Sequence, residues 1–262
     1  MKVLVTVKEV AAVEDTFEIE DGAIPERYLE YELNEWDDYA VEEAVQLAEA
    51  GDDVEVVAAT IGPARVEETV RKALAKGVDR AVRVWDDALA EETILDVPTK
   101  ARLLAAVVER EEPDLVFTGV QADDDAFGGT GVALAACVGF GWAAVVNAFE
   151  LEGETATVHR ELEGGLEEVV EVDLPAVFTI QTGINEPRYA SLRGIRQAQQ
   201  KEIEAVTLDD LGLEADDVTS ALDIERMVEP AVESDVTYLE GSAEEAAGQL
   251  ADVLADLGVL EG

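Results

Sequence analysis

Short apolar runs alternate with helical stripes across the first 130 or so residues, and this rhythm leaves one main fold class open. Val3–Val7, Val54–Thr60, Ala81–Val84 and Leu115–Thr118 are brief, mostly β-branched or aliphatic, and bounded by turn residues. That is how strands buried on both faces read. Between them, Asp37–Ala50 carries Tyr39, Val41, Ala44, Val45, Leu47 and Ala48 as a stripe that stops at Gly51, and Val66–Ala75 and Thr99–Arg110 read as further helices. The alternation predicts an α/β fold: a parallel sheet wound by right-handed crossovers, with helices on both faces.

Three stretches depart from the rhythm. Thr16–Ile19 and Tyr28–Leu33 flank Asp21-Gly22 and predict a hairpin insertion. Ala144–Glu152, Thr155–Leu162, Glu167–Asp173 and Ala176–Thr182, separated by Gly153, Gly164-Gly165 and Pro175, predict an antiparallel meander. Leu211–Glu233 is acidic and weakly patterned, as in a linker or extended arm. Ser242-Ala243-Glu244-Glu245 then reads as a capping box opening a helix through Leu257. Its apolar face (Ala246, Ala247, Leu250, Val253, Leu254, Leu257) must bury against this core or a partner. The organisation expected is a main α/β domain over 1–204 and a C-terminal arm and helix over 205–262.

Charge narrows the function classes. The chain holds 61 Asp and Glu against 18 Lys and Arg, a net charge of −43, where roughly 2–8 in magnitude is usual for a small soluble domain. Such a field repels nucleic acid and anionic membrane surfaces. Disorder is excluded because 48% of residues are hydrophobic and periodically placed. Carboxylates spread over the whole length predict a protein of an extreme halophile, working where the Debye length falls to roughly 3 Å. The apolar run at the N-terminus is too short for a signal peptide, and no segment approaches the roughly 20 apolar residues of a membrane span, so the reading is cytoplasmic. Cys137 and His159 are the only residues of their kinds. A disulfide framework, zinc sites and His-dependent triads therefore fall away. Cys137 reads as a small buried hydrophobe and His159 as a strand residue.

Ligands of a wound sheet sit at the carboxyl ends of its strands. The loops after Val7, Thr60 and Thr118 converge there, and the third is the richest, running from Gly119 to Gly131 into the apolar helix Val132–Val138. Gly128-Gly129-Thr130-Gly131 matches neither the dinucleotide fingerprint nor a P-loop. It suits a flexible turn and a phosphate cradle equally. Asp123–Asp125 reads as a solvated acidic loop rather than a metal site, and no residue stands out as catalytic.

Several blocks resemble the electron-transfer flavoprotein beta subunit, including its relatives from nitrogen-fixing and flavin-bifurcating systems. They are Val3–Lys8, Asn34 with Tyr39–Ala44, Arg71–Arg80, Pro113–Val116, Gly119–Ala122, Val158–Gly165 and, most specific, Asn185-Glu186-Pro187-Arg188-Tyr189-Ala190-Ser191-Leu192. Their order and spacing run from residue 1 to about 204. The resemblance implies an adenine-nucleotide-binding, Rossmann-like domain that holds AMP or, in bifurcating members, a second FAD. Positions matching the family's nucleotide contacts are Thr6, Asn34, Glu35, Trp36, Asp37, Ile61, Ala122, Asp123, Asp124, Asp125, Ala126, Phe127, Gly128, Gly129, Thr130, Gly131, Val132 and Ala133. Trp36 falls where the family sets an aromatic beside the partner's flavin. Ala126, Phe127 and Gly129 depart from the family pattern, which usually has Asp, a small or polar residue, and Gln. The segment 185–196 is similar to the family's recognition loop, with Leu192 as its anchor and Tyr189 and Arg193 beside it. The implied function is electron transfer in a heterodimer with an FAD-bearing alpha subunit, between dehydrogenases and a membrane quinone oxidoreductase, or by NADH-driven bifurcation. The alternative is a stand-alone, stress-type adenine-nucleotide-binding protein.

Overall fold

The structure, a computed structural model, describes residues 1–51, 53–229, 236 and 238–259. They form two units, Met1–Met227 and a second from Val228 onward.

The first unit is built on a nine-stranded sheet in the order β11-β5-β4-β1-β6-β10-β7-β8-β9. Its strands are β1 (Lys2–Thr6), β4 (Glu55–Ile61), β5 (Arg80–Val84), β6 (Leu115–Gly119), β7 (Gly141–Glu152), β8 (Thr155–Leu162), β9 (Leu166–Asp173), β10 (Ala176–Ile180) and β11 (Ile203–Val206). The strands from β11 to β7 run parallel, and β8 and β9 fold back antiparallel. Alternate side chains divide the core in two. Val3 and Val5 face helices α1 (Glu35–Ala50) and α2 (Glu67–Lys76), burying Val41, Ala44, Val70 and Leu74. Leu4 faces the other way, with Leu103 and Val107 of α4 (Val97–Glu111) and Leu134 of α5 (Thr130–Val138). A short α3 (Asp87–Ala90) precedes α4, and α6 (Leu192–Ala198) follows β10. Phe149 stands edge-on to Phe117 at 5.2 Å and to Phe178 at 5.4 Å, pinning the meander to the parallel strands.

The α/β class, helices on both faces and an antiparallel extension are as the sequence predicts. Three details differ. The hairpin pairs β2 (Glu9–Val13) with β3 (Leu29–Leu33), not Thr16–Ile19, which lies outside any strand; Asp21-Gly22 is closed only by a bridge between Glu20 and Ala23. β10 is not a meander strand: it lies parallel between β6 and β7, and all five of its residues are buried. Cys137 is exposed, because α5 turns Leu134 and Ala135 to the sheet and Cys137 away from it. His159 is an exposed residue of β8, opposite Val169.

Residues 208–227 lie on the first unit, with Leu208 and Val218 in the α4–α5 core layer. In the second unit, α7 (Ala243–Asp256) opens with the expected capping box: Ser242 Oγ accepts from Glu245 N and Glu245 Oε2 accepts from Ser242 N. No helix of the described residues is long and apolar enough to cross a membrane.

Candidate functional site

The chain leaves β1 to build β4 on one side and later returns to lay β6 on the other. A crevice opens where such a sheet reverses direction, outside the carboxyl ends of its strands. Here it is a cavity of about 730 Å³, walled by Thr6–Lys8, Ala59–Ile61, Thr118–Asp125 and Gly128–Thr130. Ala11–Val13, Ile24, Leu29, Thr93–Leu95, Ile224 and Met227 make its opposite, mostly apolar side.

The first turn of α1 braces this crevice. Asn34 donates from Nδ2 to Gln121 O (2.8 Å) and accepts from Asp123 N (3.2 Å), while Asp37 accepts from Lys8 N (2.7 Å) and Gly119 N (3.1 Å). Position 119 must be glycine, since a Cβ there would stand 2.6 Å from Asp37 Oδ1 and 2.7 Å from Trp36 Cβ. Gly131 is as restricted: its Cβ would meet Thr118 Oγ1 at 2.3 Å, so only glycine lets α5 start this close to β6. Burial pushes the Asp37 carboxyl up to about 7, against the pull of its N–H donors.

Two features of the wall lack internal partners. α5 follows Gly129, which as its N-cap offers no side-chain cap, leaving first-turn N–H groups for an anion. Thr60 Oγ1 is buried with no hydrogen-bond partner. Beside them, Lys8 and Lys100 both reach Oδ2 of Asp125, at 2.8 and 2.6 Å, and Lys8 also pairs with Asp124. Burial opposes ionisation of Asp125, but Lys100 and Lys8 outweigh it and hold the carboxyl below its ordinary value. The Lys100 ammonium also lies 4.8 Å from the centre of the Phe127 ring. Among the described residues, no three His, Cys, Asp or Glu side chains group to hold a metal ion.

The family model described as "Electron transfer flavoprotein domain" matches residues 21–211. A beta subunit of electron transfer flavoprotein from Methylophilus methylotrophus is 48% identical over 97% of this chain and 98% of its own length. Those of Bradyrhizobium diazoefficiens (40% identical, 88% of this chain and 90% of its own) and Homo sapiens (38%, 88% and 89%) are also similar. The chain belongs to the electron transfer flavoprotein beta-subunit family. A beta subunit of this family works in electron transfer and has an alpha subunit as its counterpart.

Of the positions singled out in this beta subunit, Thr6, Asn34, Asp37, Ile61, Ala122, Asp123, Asp124, Asp125, Gly128, Gly129 and Thr130 line the cleft. Glu35 points to solvent, and Trp36 is half-buried beside the cleft, its indole donating to Gln181 Oε1 (3.1 Å). Ala126, Phe127, Gly131, Val132 and Ala133 do not line the cleft; Ala126 and Phe127 are exposed to solvent. Lys8, Thr60, Lys100, Ile224 and Met227 line it without having been singled out.

The segment 185–196 of the beta subunit stands on the far side of α1. Tyr189 is fully exposed, Leu192 is 79% exposed and Ile195 45%, with Arg193 exposed beside them. Its base is fixed. Asn185 Nδ2 donates to Tyr39 O (3.1 Å) and Glu43 Oε2 (2.9 Å), and Arg188 holds Glu42 through Nε (2.9 Å) and Nη2 (3.0 Å) and Glu49 through Nη1 (2.6 Å) and Nη2 (2.8 Å). Gly194 lies against α2, where a Cβ would stand 2.3 Å from Ala75 O. An apolar tip on a rigid stem suits docking.

Proposed function

We propose that the cleft takes an adenosine 5′-phosphate moiety, as AMP or as part of a second FAD, and that the chain carries electrons only in a heterodimer whose alpha subunit holds an FAD. The unsatisfied wall of the cleft carries this reading: an uncapped α5 N-terminus stands at a cavity at the sheet's reversal point. A phosphate fits the free N–H groups, and a ribose or base fits the apolar side. Asn34 and Asp37 hold the two strand ends that frame it, and Lys8 and Lys100 offset the acidic loop.

Flavin supplies the redox chemistry when bound; this chain orients, shields and docks. Trp36 is the aromatic wall offered to the partner's flavin. Leu192, with Tyr189 and Arg193, is the contact for client dehydrogenases and the membrane quinone oxidoreductase. An AMP-filled cleft makes a simple carrier, whereas a second FAD would make an NADH-dependent bifurcating component. The acidic surface suits the cytoplasm of an extreme halophile.

The test is to denature the purified heterodimer and identify what it releases by chromatography. AMP, or two FAD per heterodimer, supports the reading; one FAD and no other nucleotide refutes the cleft assignment. A nucleotide bound tightly by this chain alone, with no tendency to pair, would favour the stand-alone nucleotide-binding protein.

A further inference from the structure

The segment Ser220–Met227 lies beyond the stretch that matches the family model, yet it crosses the open side of the cleft. It is tied down at three places. At its start, Asp96, the buried cap of α4, accepts from Ala221 N (2.8 Å), and Asp96 N donates to Ser220 Oγ (3.2 Å). In its middle, the Thr93 hydroxyl donates to Asp223 Oδ1 (2.6 Å) and accepts from Ile224 N (3.0 Å). At its end, Met227 N donates to Gly22 O (2.6 Å) at the tip of the β2–β3 hairpin.

These ties differ in strength. Asp96 is only 6% exposed and serves the helix and the segment together, so that end is anchored. The Thr93 links are exposed and hang on one hydroxyl, so water competes for both. Ile224 and Met227 line the cleft while remaining 39% and 40% exposed. Apolar surface of both borders the cavity, and a ligand there would cover part of it.

We propose that Ser220–Met227 is a strap over the nucleotide cleft, with Ile224 and Met227 touching the base of the bound nucleotide and Thr93 acting as the latch that lets it pass. This rests on reading the cleft as an adenine-nucleotide site, and it adds residues and a gate to that site. Opening needs the two Thr93 links and the single Met227 N–Gly22 O bond to break while the Asp96 anchor holds.

The measurement is the exchange of labelled AMP, and of FAD in parallel, on the complete heterodimer in multimolar KCl. Wild type is compared with Thr93→Val, Ile224→Ser and Met227→Ser. Thr93→Val should speed release and uptake alike, each by about tenfold, because it removes two modest hydrogen bonds from the closed state. Ile224→Ser and Met227→Ser should speed release by about tenfold and leave uptake unchanged, because they weaken contact without loosening the latch. Asp223→Ala replaces Thr93→Val if the latter lowers the melting temperature. Unchanged exchange in every variant, in a protein that binds AMP or FAD, overturns the strap and spares the cleft. Wild type that binds neither nucleotide overturns both.

Discussion

The Asp37 carboxylate accepts the backbone N–H of Gly119 at 3.1 Å, joining the first turn of α1 to the carboxyl end of β6. Its other oxygen takes Lys8 N at the end of β1, so one buried side chain spans the sheet's reversal point. The strands flanking the cleft are set by this residue rather than by the loops alone.

Burial pushes the Asp37 carboxyl up to about 7 in the folded protein, whereas the unfolded chain gives up this proton near pH 4. Between those values the native state binds the extra proton, so this residue's contribution to stability is full below pH 4, declines as pH rises, and levels off above 7. Asp37→Asn keeps an acceptor oxygen and loses the titration. In urea melts at fixed high salt, the stability of wild type relative to Asp37→Asn should fall between pH 5 and 7.5. A difference that grows with pH would contradict the assignment.

Arg188 should be intolerant even of lysine. Glu42 is almost wholly buried, and its ionisation, opposed by burial, is sustained by the guanidinium. Lysine cannot reproduce the fork that meets Glu42 and Glu49 together. Arg188→Lys should cost roughly 1–3 kcal/mol and raise hydrogen exchange over residues 186–196, with the sheet still protected. Uniform loss of protection would mean that Arg188 supports the core instead.

Leu192→Ala should slow electron transfer with a client dehydrogenase by about tenfold or more, as loss of a hot-spot side chain does. Stopped-flow flavin absorbance reads the rate, and nucleotide release reads the cleft. Because Leu192 is on the exposed tip and no residue of 185–196 lines the cleft, the second readout should not move. Equal loss in both would remove the docking role.

Salt should govern the fold as a whole. Lys8, Lys76, Arg80 and Arg188 are already engaged in ion pairs, and a net charge of −43 leaves most surface carboxylates to repel one another. Circular dichroism across a KCl series should show helix content lost in dilute buffer and regained at multimolar salt. A spectrum unchanged in dilute buffer would contradict halophilic adaptation.

The readable parts of the fold were those whose signal is local. β1, β4 and β6 have apolar centres because both faces are covered there, and Ser242–Glu245 states its cap within four residues. The hairpin is hidden because Asp21-Gly22 looks like a tight turn, whereas the paired strands stand farther out, at Glu9–Val13 and Leu29–Leu33. The parallel placement of β10 is hidden because nothing local says which neighbours a strand takes. Its apolar run Ala176-Val177-Phe178, with Ile180 beyond Thr179, is the available sign of a central position. In the cleft, the loops after β1, β4 and β6 follow from the α/β pattern. Lys100, Ile224 and Met227 do not, because distant returns of the chain bring them there and no periodicity marks them.

The central claim is that this chain is the nucleotide-bearing half of a flavin-dependent electron carrier. Co-expression with its alpha subunit, followed by size-exclusion chromatography in multimolar KCl with absorbance recorded across the flavin bands, tests it most directly. The account predicts a yellow one-to-one heterodimer. A colourless monomer that elutes apart from the alpha subunit would contradict it.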